Sequence, residues 1–144
     1  LLLEYNVRFG DPECQPILYR LKTDIIDLFN ACINEKINKI NLEWDQRLGL
    51  TVVLASNGYP GKYTSGSEIN NLEMLDSNQN IEVFHSGTKI EDGKTYAVGG
   101  RVLGITTIDN DIHLARKNVY EAINIIDWPE GFFRKDIGWR IMDK

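Results

Sequence analysis

LLLEYNVRFGDPE, residues 1–13, is the stretch on which the reading of the fold turns. Leu1, Leu3, Tyr5, Val7 and Phe9 alternate with Glu4, Asn6 and Arg8, and a period of two places these sets on opposite faces of a strand. The apolar set predicts a core face. The other set puts a carboxylate, an amide oxygen and a guanidinium in a row, each about 7 Å from the last at a rise of about 3.3 Å per residue. Hard oxygen donors suit Mg²⁺, and Arg grips phosphate oxygens with two parallel hydrogen bonds. A half-buried edge strand with a solvated polar face would carry the same alternation.

Outward from this strand, Gly10 to Glu13 turns the chain into a helix. Asp11-Pro12 resembles an N-cap and first helical position, but Pro16 would then lack a hydrogen bond, so the helix is expected to start nearer Glu13 or Cys14. Leu18, Leu21, Ile25, Leu28, Phe29 and Cys32 recur at spacings of three and four, which predicts one amphipathic helix to about Asn34. Its N-terminus follows Arg8, so free amides would face the same chemistry; an ordinary capped helix accounts for the same residues. Residues 35–46 are polar and aperiodic and read as a linker, with a boundary near Asn41. Arg47 to Ser56 reads as a strand buried on both faces. Asn57 to Gly66 has turn chemistry without the glycine-lysine pattern of a phosphate loop, and reads as structural.

Short strands are expected at Glu68 to Leu72, Ile81 to His85, Thr95 to Val98 and Arg101 to Thr107, with Glu91-Asp92-Gly93 as a hairpin turn. A helix from Asp111 to Ile126 should turn Leu114, Val119, Ala122, Ile123 and Ile126 inward, ending at Trp128-Pro129. The pattern is α+β.

The 144 residues carry a net charge of -5 and 42% hydrophobic content, enough for a core and the wrong sign for a nucleic-acid surface. No apolar run approaches the roughly 18 residues of a membrane span. Cys14 and Cys32, placed in one helix, cannot meet in a disulfide and read as reduced, which suggests the cytoplasm. His85 and His113 lack zinc-ligand spacing. His85 reads as a hairpin or core histidine. Arg134, Asp136 and Trp139 read as an ion pair and a buried ring that tie down the C-terminus. Gly99-Gly100 could form an anion nest beside Arg101, with Lys89 nearby as a second cation, or be a plain turn before a strand.

EYNVRFGDPE resembles the metal-binding strand and following loop of the glycinamide ribonucleotide synthetase family, within the ATP-grasp superfamily. The resemblance recurs at WDQRLGLTVVLASNGYPGKY (44–63), FHSGTK (84–89), GGRVLGIT (99–106) and FRKDIGW (133–139). It spans nearly the whole chain, with Val98 and Ser86 standing where the family usually has Asn and Ala.

The resemblance implies residues 1–41 as the last strand and helix of an ATP-grasp domain, and residues 42–144 as a small barrel-like β-sandwich domain with a terminal helix. It implies Glu4 and Asn6 as ligands of Mg²⁺ or Mn²⁺ on the phosphates of ATP, and Arg8 as a stabiliser of the transferring phosphoryl or acyl phosphate. Asp11 would be catalytic and Glu13 would bind substrate, as groups able to hold or deprotonate the glycine ammonium; both could equally be helix-terminus carboxylates. Lys89, Gly99, Gly100 and Arg101 would hold the substrate's 5-phosphate. The implied activity joins glycine to 5-phosphoribosylamine with ATP, giving glycinamide ribonucleotide, ADP and phosphate in purine biosynthesis.

The implied partners are those substrates and the rest of the same enzyme upstream of Leu1, so the chain reads as the C-terminal third of that enzyme, inactive alone. Neither nucleic acid nor membrane is expected. A biotin-carboxylase-type enzyme shares the Glu-x-Asn-x-Arg strand but lacks support from GDPE and GGRVL. A sandwich-shaped binding module without turnover is the alternative outside catalysis.

Overall fold

The computed structural model describes Leu2, Tyr5 and residues 7–142. Two nine-residue strands, β1 (Leu48–Ser56) and β6 (Arg101–Asp109), form its centre. They run antiparallel from Leu48 opposite Asp109 to Ala55 opposite Arg101, with a register shift between Leu54 and Ala55. β3 (Ile81–His85) lies against β6 and β7 (Gly131–Phe133) against the end of β1, giving the order β3-β6-β1-β7. A second sheet has the order β2-β5-β4, from β2 (Ser67–Ile69), β4 (Thr88–Glu91) and β5 (Lys94–Ala97).

Both faces of the central pair are covered, which explains the nearly unbroken apolar run of β1. On one face Leu50, Val52, Leu54, Leu103 and Ile105 pack in a single core with Ala115, Val119, Ala122 and Ile123 of α3 (Ile112–Ile125). Thr107 also points to this side and donates its hydroxyl to the Ala115 carbonyl at 3.0 Å. Asp111 caps α3 by accepting from the His113 amide at 2.6 Å. On the other face Thr51 and Thr106 share a buried hydroxyl hydrogen bond of 2.6 Å.

That second face receives α1 (Cys14–Arg20) because β1 offers Gly49 there. A Cβ at Gly49 would lie 3.1 Å from Pro16 Cβ and 3.2 Å from Arg20 Cδ, so only a bare backbone lets the helix sit this close. Gln15 lies over Gly104, and Tyr19 meets Phe84 of β3 edge-on with centroids 6.4 Å apart. α1 starts at Cys14, so the missing amide of Pro16 falls within the first turn, where it would have no intrahelical partner.

Several expectations need correction. Tyr5, Val7 and Phe9 form no core face: none of the described residues 2, 5 and 7–9 is in a strand, and Tyr5 and Val7 are 82% and 94% exposed. Leu1, Leu3, Glu4 and Asn6 lie outside the described residues. The single helix to Asn34 is two, α1 and α2 (Ile25–Ile33). Leu21 turns extended and bridges Trp44, the Lys22 amide donates to the Glu43 carbonyl at 2.9 Å, and Asp24 starts α2 by accepting from the Ile26 amide at 2.8 Å. Thr23-Asp24 was the stop and start signal inside a continuous apolar period.

The fold is mixed α and β with two open antiparallel sheets rather than a closed barrel. Beyond β2 the expected strand gives way to a 3-10 turn at Leu72–Leu75. β4 and β7 were not anticipated, nor was the short helix α4 (Trp139–Met142). Leu114 is 48% exposed and Ala115 takes its inward position. Trp139 is likewise exposed, at 49%. The C-terminal segment is held instead by Arg116, which donates to the Ile137 and Lys135 carbonyls, and by Tyr120, whose hydroxyl donates to the Arg134 carbonyl at 2.7 Å. The Arg134–Asp136 pair is present at 2.6 Å. The hairpin turn is as read, with Asp92 and Gly93 at φ of 50° and 76°, the left-handed pair that suits a two-residue connection. Cys14 and Cys32 are unpaired. No helix among the described residues is long and apolar enough to cross a membrane.

Candidate functional site

Three segments distant in sequence meet at the start of β6. Their positions follow from one tight crossing, where the β3–β4 turn passes the β5–β6 turn. Ser86 and Gly87 donate their amides to the Val102 carbonyl at 3.0 and 3.2 Å, and Val98 and Gly99 donate theirs to the Gly87 carbonyl at 2.8 and 3.0 Å. A Cβ on Gly99 would lie 2.9 Å from Gly87 Cα, so both turns need glycine. Ser56 at the end of β1 locks the same turn, donating its amide to the Gly100 carbonyl and its hydroxyl to the Gly99 carbonyl, each at 2.8 Å.

Gly100 has a different neighbour. A Cβ there would collide with the Tyr59 ring, so Tyr59 lies against the bare backbone, with Tyr63 edge-on to it at 6.3 Å. Arg101 follows, its guanidinium carbon 5.9 Å from the centre of the Tyr59 ring. Its Nη1 donates to the Asp11 carbonyl at 3.3 Å and lies 3.4 Å from the Asp11 carboxylate. Beside it opens a cavity of about 260 Å³, mainly apolar, walled by Pro12, Val53, Ala55 and Phe132 and flanked by Arg101 and Arg134.

The residues singled out in the sequence are thus distributed unevenly. Asp11 and Arg101 come together. Glu13 accepts from the Gly10 amide at 2.9 Å and closes the turn that carries Asp11. Arg8 donates to the Phe9 carbonyl at 2.8 Å. Gly99 has its amide engaged with Gly87, so one of the two amides of the expected nest is already in use. Lys89 sits on β4 in the other sheet and pairs with Glu91 at 3.0 Å; among the described residues it makes no ion pair with Asp11 or Glu13.

Glu4 and Asn6 lie outside the described residues, and among those described no group of three or more His, Cys, Asp or Glu could hold a metal ion. His85 bonds Thr88 at 2.9 Å across the β3–β4 turn, whose two strands pair in different sheets and form no hairpin. Ser56, Tyr59 and Gly87 were passed over in the sequence; two tyrosines four apart in a glycine-rich loop were the available signal.

The segment before β1 enters the sheet through a separate charged cluster. Arg47 donates to both carboxylate oxygens of Asp45, at 3.0 and 2.7 Å, and holds that carboxyl well below the usual carboxylate range. Arg134 lowers Asp136 in the same way at the lip of the cavity.

The sequence model of the family described as phosphoribosylglycinamide synthetase, C domain, matches residues 49–140. The chain belongs to this family. Among its relatives, the phosphoribosylamine–glycine ligase of Brucella melitensis is 47% identical over 99% of this chain and 34% of its own length. The chloroplastic enzyme of that name from Arabidopsis thaliana is 46% identical over 98% of this chain and 27% of its own. The solved phosphoribosylamine–glycine ligase of Thermotoga maritima superposes with a TM-score of 0.73 at 30% identity, covering 95% of this chain and 33% of that one. The chain therefore spans about a third of the length of these relatives. The open mixed fold described above is shared with the synthetase structure from Thermotoga maritima.

Proposed function

We propose that this chain is the C-terminal part of an ATP-dependent ligase that joins glycine to 5-phosphoribosylamine, giving glycinamide ribonucleotide, ADP and phosphate in purine biosynthesis. The observation that carries the reading is the extent of the match to the Brucella melitensis enzyme: 99% of the chain at 47% identity, so the opening segment is included with the C domain. Residues 1–41 then complete an ATP-grasp domain and residues 42–144 form the C domain, in an enzyme of the cytoplasm.

Glu4 and Asn6 supply oxygen donors of the kind Mg²⁺ or Mn²⁺ takes, and the metal when bound neutralises charge on the phosphates of ATP. Arg8 stabilises charge on the transferred group. Asp11 and Glu13, on the turn that follows, face the glycine ammonium. Arg101, with Gly99, Gly100 and Lys89, belongs to the phosphoribosylamine side. The Asp11–Arg101 contact supports this division, since it joins the turn that follows Glu4, Asn6 and Arg8 in sequence to the start of β6.

In the full-length protein, ADP release should require both glycine and phosphoribosylamine. Release that ignores glycine, or no release with both present, would refute the assignment. Arg101→Ala should raise KM for phosphoribosylamine about ten- to hundredfold, as loss of a charge-assisted hydrogen bond of about 1.5–3 kcal/mol implies. The KM values for ATP and glycine should hardly move.

A further inference from the structure

An exposed arginine has many rotamers, and recognition of a phosphate needs one of them to be populated before the ligand arrives. Asp11 restrains Arg101 through Nη1 alone, and at long distances of 3.3 and 3.4 Å. The other restraint is the Tyr59 ring beneath the guanidinium. That ring is fixed for a reason visible in the backbone: Gly100 leaves the space it occupies, and Tyr63 closes its edge at an interplanar angle of 61°.

The geometry points to Tyr59 as the positioning residue for Arg101, its ring holding the guanidinium so that Nε and Nη2, which bond no other described residue, meet the phosphate of phosphoribosylamine. This rests on the reading of Arg101 given above. Arginine stacks on an aromatic face through the ring quadrupole, so the effect belongs to the ring and not to the phenol hydroxyl. The Gly-Tyr-Pro loop thereby acquires a task in substrate recognition beyond turning the chain.

The test compares Tyr59→Leu, Tyr59→Phe, Arg101→Ala and the Tyr59→Leu/Arg101→Ala pair in the full-length enzyme. Tyr59→Leu should raise KM for phosphoribosylamine about three- to thirtyfold, the range of a cation–π contact, and leave kcat and the KM values for ATP and glycine within about twofold. Tyr59→Phe should behave as wild type. In the Arg101→Ala background Tyr59→Leu should add nothing, because the group it positions is gone. Gly100→Ala, which displaces the ring without altering it, should raise the same KM.

If Arg101→Ala leaves phosphoribosylamine kinetics unchanged, the reading of Arg101 falls and this inference with it. If Arg101→Ala raises KM but Tyr59→Leu does not, only the positioning role is refuted. A Tyr59→Leu enzyme with all three KM values raised together, or one not restored by Phe, would show the ring to be a general support of the loop and would also overturn it.

Discussion

Gly87→Ala tests whether the turn crossing holds the site together. A Cβ on Gly87 would lie 2.7 Å from Gly99 Cα and 3.0 Å from Gly99 N, and also against the Arg101 carbonyl. All three are backbone atoms, and carbon atoms in good contact sit about 3.5–4.0 Å apart. The turns must therefore separate by about 1 Å. Four hydrogen bonds span the crossing, from the amides of Ser86, Gly87, Val98 and Gly99. Losing one or two of them at about 1 kcal/mol each, with about 1–3 kcal/mol of overpacking, gives a destabilisation of about 2–5 kcal/mol. For a domain of this size that is on the order of 10 °C in Tm.

Urea titration followed by circular dichroism would measure it, with Gly104→Ala as the control. A Cβ at Gly104 meets its neighbours at ordinary contact distances of 3.6–4.0 Å, so that change should be neutral within about 1 kcal/mol. A Gly87→Ala protein as stable as wild type would refute the argument that backbone proximity, and not turn conformation, demands glycine there.

Thr106→Val should destabilise by about 1–3 kcal/mol in urea titrations by leaving the buried Thr51 hydroxyl unpaired, whereas Thr51→Val/Thr106→Val should recover most of the loss; equal loss in both would remove the pairing argument. Ile105→Ala, at the fully buried centre of the sheet, should cost about 2–5 kcal/mol by the same assay, and a loss below about 1 kcal/mol would contradict its place in the core. The Asp45 carboxyl is held below its unfolded value, so its contribution to stability is present above about pH 4 and fades as pH falls through the lower folded value. Asp45→Asn should flatten this acid limb in a series of thermal melts between pH 2 and pH 7, and an unchanged limb would refute the assignment.

Elements with a regular apolar period and a local stop signal were legible in the sequence: β1, β3, α3, and the Asp92-Gly93 turn. What misled was period without context. Alternation over residues 1–9 resembles a half-buried strand, yet Tyr5 and Val7 are exposed, because alternation requires a partner surface to become burial. The helical period ran through Leu21, and only the chemistry of Thr23-Asp24 marked the break. At the site, Gly99-Gly100 reads as an anion nest in the sequence. The crossing with Gly87 and the Tyr59 ring, from segments 12 and 40 residues away, cannot be inferred from local spacing.

The same long-range packing decides what Arg101 can do. It belongs to a strand whose register is fixed by β1 on one side and β3 on the other, so its Cα has little freedom relative to the core. Asp11 reaches it from a segment held differently: α1 is seated on Gly49 through Pro16 and Arg20, five and nine residues further on. Arg20 in turn donates to the Asp45 carbonyl at 3.2 and 3.0 Å, next to the Asp45–Arg47 pair that leads into β1. The relative position of the two site residues is therefore set by a helix pressed onto a glycine face, and the exposed Asp11–Arg101 contact, by itself worth at most about 1 kcal/mol, reports that position more than it creates it.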